Sequence, residues 1–202
     1  MKVLNYDITL EMRDRPHPIL KVAYPALALA AVLALGAGFI LSMGVDPLQA
    51  YSTMLYGAFG NQIALSELLI KATPLMLVGL GIAVAFRASF YNIGAEGQFI
   101  LGSIGAAWLG LTLTNVPSYI LIPAMMIVGA ILGAVWALVP GILKAQFQIN
   151  EIIVTIMMNF VAMYLLQYLL NYSWRDPLAY YPQTEKIAEA GWIPIMIPGT
   201  RI

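Results

Sequence analysis

Between Val22 and Met43 the chain runs for 22 residues without a charge, VAYPALALAAVLALGAGFILSM. At about 1.5 Å per helical residue, such a run crosses a hydrocarbon core of roughly 30 Å. No packed soluble domain has a use for so long an uninterrupted stretch. A secretory h-region of roughly 7–15 residues is shorter, and Asp7, Glu11 and Asp14 sit where a basic n-region belongs, so the run reads as a retained span. The composition agrees: 61% hydrophobic and 10% charged, with mean hydropathy +0.83. Soluble domains run nearer half apolar and a quarter charged, which excludes a disordered chain, a nucleic-acid binder and an ordinary soluble enzyme. Ten basic and ten acidic residues cancel, so net charge points to no acidic or basic partner. There is no cysteine, which removes disulfides, thiolate metal sites and thiol nucleophiles.

Four further apolar segments follow: 68–86, 99–113, 119–143 and 152–172. With 22–43 they predict an all-α polytopic bundle of about five membrane segments. The third, at 15 residues, is the shortest. Residues 1–21 form a polar N-terminal segment, 22–172 the transmembrane region, and 173–202 a tail carrying Pro177, Pro182, Pro194 and Pro198 among Tyr and Trp. Lys2, Arg13, Arg15, Lys21, Arg87 and Lys144 fall on one side of this topology, and Arg175, Lys186 and Arg201 on the other. The positive-inside rule then places the N-terminus in the cytoplasm and the tail outside. The chain stops at Gly199-Thr200-Arg201-Ile202, just after GWIPIMIP. The expectation is a C-terminally incomplete protein.

Small residues recur every four positions: Gly102, Ala106 and Gly110 in one segment, Gly129, Gly133, Ala137 and Gly141 in the next, and Gly79 and Ala83 in an earlier one. Such faces let helix backbones approach closely in lipid. They fit plain helix packing as well as a bundle around a pathway. Glu67 and Lys71 stand four apart, in the order favourable for an intrahelical ion pair, and Lys71 is also placed to snorkel to the interface. Pro74 removes a backbone bond inside the second span and predicts a bend there.

Enzyme signatures are lacking. No G-x-x-x-x-G-K-[ST], H-E-x-x-H or G-x-S-x-G occurs, and the single histidine, His17, lies between two prolines in the polar segment. Two polar stretches interrupt the apolar background. The first is Arg87-Ala-Ser-Phe-Tyr-Asn-Ile-Gly-Ala-Glu-Gly-Gln98. Gly94 and Gly97 permit backbone denied to other residues, Asn92 is placed to cap the following helix, and Glu96 falls in its first turn. Two readings stay open, an ordinary cytoplasmic turn or a broken helix whose end faces a polar path. The second stretch is Gln146 to Asn159. Asn150 reads as an N-cap, Glu151 follows it, and Thr155 and Asn159 continue one face. That stripe serves either helix-to-helix hydrogen bonding or a solute-lining surface.

FYNIGAEGQFILGSIGA (Phe90 to Ala106) resembles the signature stretch of ABC-importer permeases of the simple-sugar and nucleoside type, and NEIIVTIMMNF (Asn150 to Phe160) resembles a second block of the same family. The likeness extends over roughly residues 20 to 175. Ribose and branched-chain amino-acid permeases belong to the wider group. Sugar permeases usually carry an Asp-containing sequence where this chain has Asn92 to Gln98, which favours the nucleoside-like branch. The resemblance implies a multi-pass inner-membrane subunit that works by alternating access with a second permease subunit, two cytoplasmic ATP-binding subunits and an extracytoplasmic solute-binding protein. ATP and Mg²⁺ would sit on the partner ATPase, with no cofactor in this chain. It further implies Asn92, Gly94, Glu96, Gly97, Gln98, Asn150, Glu151, Thr155 and Asn159 as candidates for lining or gating the path. Family members are longer, with further spans and a second glycine-rich block, and the segment that couples to the ATPase is expected outside this stretch. The alternatives are a membrane scaffold or assembly subunit without transport of its own, and a branched-chain amino-acid permease.

Overall fold

A computed structural model describes residues 2–3, 6–7 and 18–201. Most of the expected cytoplasmic segment 1–21, His17 included, lies outside the described residues. Two compact units divide at Leu65/Ser66, inside one helix.

The first unit begins with two short antiparallel strands, β1 (Lys2–Val3) and β2 (Tyr6–Asp7). Helix α1 (Pro18–Ser42) covers the uncharged run and continues through Pro25. Helix α2 (Pro47–Phe59) occupies the connection between the first two apolar segments. Its start signal is local: Asp46 Oδ1 accepts from Leu48 N at 3.0 Å, and Pro47 takes the first helical position, where a missing N–H costs nothing. Tyr51 Oη donates to Leu33 O at 2.7 Å and ties α2 to α1.

Helix α3 (Gln62–Arg87) starts six residues before the apolar segment it contains. Asn61 explains the early start, because its Oδ1 accepts from Ala64 N at 2.7 Å. The helix runs on through Pro74. The expected Glu67–Lys71 pair is not formed. Glu67 accepts instead from Arg201 Nη1 at 3.3 Å, and Lys71 faces a groove along α3. The guanidinium fork, brought back by the tail, takes the carboxylate.

The rest of the second unit is α4 (Ala95–Thr112), α5 (Ser118–Phe147), α6 (Glu151–Tyr168), a π-turn over Leu169–Ser173 and a short 3₁₀ turn at Glu189–Gly191. Among the described residues, four helices are long and apolar enough to cross a bilayer: Ile19–Ser42, Gln62–Arg87, Ser118–Phe147 and Glu151–Ser173. The chain is a multi-pass membrane protein. The remaining expected segment, 99–113, is the body of α4, which is not among the four. Gly-rich and carrying Glu96, Gln98 and Ser103, it is packed against both α5 and α6 and buries Leu101 and Ile104 there with Ala162. A helix sheltered by protein on two sides does not need an apolar surface all round.

The small-residue faces of α4 and α5 meet backbone to backbone. A Cβ added at Gly102 would lie 2.9 Å from Gly129 O, and one at Gly129 would lie 3.0 Å from Gly102 O. Gly133 rests likewise on Gln98 O, and Ala106 touches Gly129, whereas Gly110 takes Ile187 and Met125. Among the described residues Gly79, Gly81 and Gly141 meet nothing within 4 Å, so the expected stripes engage only in part. This contrast is testable. Gly102→Ala should lower the unfolding midpoint in bicelles by several degrees, while Gly141→Ala should leave it within about 1 °C or raise it slightly. Equal effects at the two positions would refute the close approach.

The tail is fastened to α4 and α5 at one stretch. Ala188 N donates to Gly110 O at 3.0 Å, and Trp192 Nε1 donates to Ile187 O at 3.2 Å. Its Ile187–Gly191 stretch covers the α4–α5 end, against Gly110, Leu121 and Met125, while Leu178, Tyr180, Ile193 and Met196 stay exposed.

Candidate functional site

The backbone leaves helical geometry after Arg87 and re-enters it at Ala95. Ser89 sits in the left-handed region at φ 56°, and the α5–α6 turn carries a matching left-handed residue, Gln148, at φ 53°. Lys144 joins the two turns. Its Nζ donates to Ser89 O at 2.8 Å and to Glu151 Oε1, and lies 5.3 Å from the centre of the Phe90 ring. Glu151 Oε1 also accepts from Tyr91 N at 3.3 Å, so one carboxylate in the first turn of α6 holds both the lysine and the loop. Asn150 caps α6 as its position predicts, accepting from Ile152 N at 2.9 Å, and takes no further part.

Asn92 is buried, but it does not cap α4. The cap position falls to Gly94, and Asn92 Oδ1 accepts from Gly94 N at 2.9 Å, turning the chain two residues earlier. Its amide also pairs reciprocally with Gln98, each nitrogen 3.3 Å from the other's oxygen. Asn159, on α6, grips the same turn from the other side: Oδ1 accepts from Gly97 N at 2.8 Å, and Nδ2 donates to Ile93 O at 3.0 Å. One side chain therefore satisfies a donor and an acceptor that the irregular backbone leaves free.

Two glycines make this fit possible. A Cβ at Gly94 would lie 2.8 Å from Thr155 Cβ, and one at Gly97 would lie 2.9 Å from Asn159 Oδ1 and 3.0 Å from Trp136 Nε1. Thr155 is fully buried, and its hydroxyl donates to Ile152 O at 3.1 Å. The Trp136 indole N–H beside Gly97 is buried with no hydrogen-bond partner among the described residues.

Glu96 does not join this knot. It lines two cavities, a groove of about 810 Å³ shared with Lys71, Pro74, Val78, Asn92 and Phe99, and a smaller one of about 210 Å³ shared with Ile156, Asn159 and Met163. The groove is apolar except for Lys71, Asn92 and Glu96.

Of the residues singled out from sequence, Asn92, Gly94, Gly97, Gln98, Thr155 and Asn159 converge, Glu151 reaches the same loop through Tyr91, and Asn150 stands apart. Two residues of the site, Lys144 and Trp136, are not among those the sequence singles out. The seven-residue interval from Lys144 to Glu151 across a helix-turn-helix was the available signal for the first. No local pattern marks the second.

Residues 64–179 match the family described as branched-chain amino acid transport system / permease component. The chain is 33% identical to the glucose ABC transporter permease protein TsgB13 of Haloferax volcanii over 97% of its own length and 52% of that protein's. It is 39% identical to the guanosine ABC transporter permease protein NupP of Bacillus subtilis, over 82% of this chain and 47% of the other. It is also 32% identical to the nucleoside ABC transporter permease protein NupB of Lactococcus lactis, over 75% and 42%. The chain thus spans about half the length of these curated relatives. No solved structure matches.

Proposed function

Because this chain belongs to the family of permease components of branched-chain amino acid transport systems, we propose that it is part of the membrane permease of an ATP-binding-cassette importer for a nucleoside or simple sugar. The names of the relatives above favour those solutes over amino acids. The observation that carries the reading is the polar knot of Asn92, Gln98 and Asn159 at a helix break between apolar spans, opening beside Glu96 and Lys71 onto the α3–α4 groove. Irregular backbone at membrane depth persists where protein covers it or where it borders a water-filled path. In this reading the knot borders the path, and Asn92, Gln98 and Glu96 face the solute as it passes.

The N-terminus and the Lys144–Glu151 turn lie on the cytoplasmic side, as the distribution of Lys and Arg supports. The chain works with a second permease subunit, cytoplasmic ATP-binding subunits that carry ATP and Mg²⁺, and an extracytoplasmic binding protein. It contributes positioning and alternating access, while the partners supply the hydrolysis.

The test is uptake of labelled guanosine, ribose, glucose and leucine by cells expressing the complete importer. Asn92→Ala and Gln98→Ala each break the amide pair and should lower nucleoside or sugar uptake by about fivefold at unchanged membrane expression. Unchanged kinetics in both variants would remove this segment from the path, and uptake of leucine alone would reassign the solute.

A further inference from the structure

At the far end of α6 from Glu151, a separate recess of about 250 Å³ is lined by Leu111, Ser173, Trp174, Arg175 and Glu185. At about 30 Å³ per water it holds the volume of roughly eight waters, or one sugar ring with its hydroxyls. Its walls are built by independent parts of the fold. The π-turn at Leu169–Ser173, closed by Trp174 N donating to Leu169 O at 2.8 Å, delivers three consecutive lining residues, and such wide turns are frequent at functional sites. Glu185 comes from the other side. The intervening loop is closed by Asp176 N to Gln183 O at 2.9 Å, and the segment beyond is fastened by Ala188 N to Gly110 O. Trp174 is seated on the Leu101–Ile104–Ala162 core, so the floor is fixed.

Arg175 and Glu185 line the same recess, yet neither forms an ion pair or side-chain hydrogen bond among the described residues, and the Ser173 hydroxyl is likewise without a partner there. A carboxylate that accepts, a guanidinium that donates, a hydroxyl that does both and an indole that covers C–H surface form a complementary set for a polyol. The opposed charges disfavour a net anion and a net cation equally. A zwitterionic amino acid would also satisfy both charges, so leucine is the competing ligand in the test.

We propose that this recess is a binding site for one neutral sugar ring, the ribose of a nucleoside or simple riboside, recognised through adjacent hydroxyls. The assignment rests on the functional reading above for its ligand class. Given that topology, the recess lies on the extracytoplasmic face, where solute arrives before it enters the membrane.

The experiment is saturation-transfer NMR on the chain in lipid nanodiscs, with methyl β-D-ribofuranoside, guanosine, 2′,3′-dideoxyguanosine and leucine as probes. Transfer to the ribose protons of the riboside and guanosine is expected, with none to the dideoxy compound. Glu185→Gln, at an exposed position that should not affect folding, is expected to weaken riboside binding about tenfold, and Arg175→Met similarly. Absence of riboside binding, equal binding of the dideoxy compound, binding of leucine alone, or no change in both variants would each overturn the site. The uptake assay separates the two readings. An importer that takes up nucleoside while the recess binds no riboside defeats the recess alone. Riboside binding with no nucleoside or sugar uptake defeats the functional reading alone.

Discussion

Replacing Asn159 by Leu is expected to abolish most transport and to destabilise the second unit by about 2–4 kcal/mol. The size of the effect follows from what one amide does. Its oxygen takes the Gly97 N–H at 2.8 Å, and its nitrogen serves the Ile93 carbonyl at 3.0 Å. Leucine of similar volume leaves both backbone groups without a partner at a site where Gly94 and Gly97 are already pressed onto α6. Asn159→Asp separates the two contributions. It keeps the acceptor for Gly97 but sets a carboxylate oxygen against the Ile93 carbonyl, so its loss should be intermediate. Unfolding in bicelles, followed together with uptake by the complete importer, checks both. A Leu variant as stable and active as the parent would show that the turn does not depend on this residue.

The second large effect is expected at Lys144. Lys144→Met removes the cation that joins the Ser89 carbonyl to Glu151, leaving the carboxylate with Tyr91 N alone. The unfolding midpoint should fall by about 5 °C, and Glu151→Gln should produce a similar drop. The double variant should fall by less than the sum, because the Lys144–Glu151 contact is lost in either change. Additive losses would mean that the two residues act separately. Salt should lower the parental midpoint only modestly, since the Glu151 side chain is 11% exposed and that of Lys144 33%.

The helices were legible because a bilayer enforces long apolar runs, and Val22 to Met43 has no alternative use. Helix α2 was hidden for the same reason: with no need to span, it announces itself only through Asp46-Pro47. The length of α4 was understated because its first turn, Ala95 to Gln98, is polar, and hydropathy marks the part of a helix that faces lipid. In the site, Asn92, Gln98 and Asn159 stood out as polar residues in apolar surroundings. Their partners did not, because bonds such as Asn159 to Ile93 span 66 residues and depend on how α6 lies against α4. Glu67 shows the converse. Its neighbour at i+4 was the obvious partner, and a residue 134 positions away took the contact.

The wide turn that closes α6 also sets a phase. An α-helix advances about 100° per residue, so a turn holding one extra residue rotates everything after it by about that angle relative to a straight continuation. Ser173, Trp174 and Arg175 therefore emerge on a side of α6 that regular winding would have given to their neighbours. Deleting one residue between Leu169 and Ser173 would rewind the end of the helix and carry the indole off its core contacts, although no contacting side chain had been changed. The orientation of the whole C-terminal cover is in this sense indexed to a single residue of spacing, and length polymorphism at this point would alter that face more than most substitutions within it.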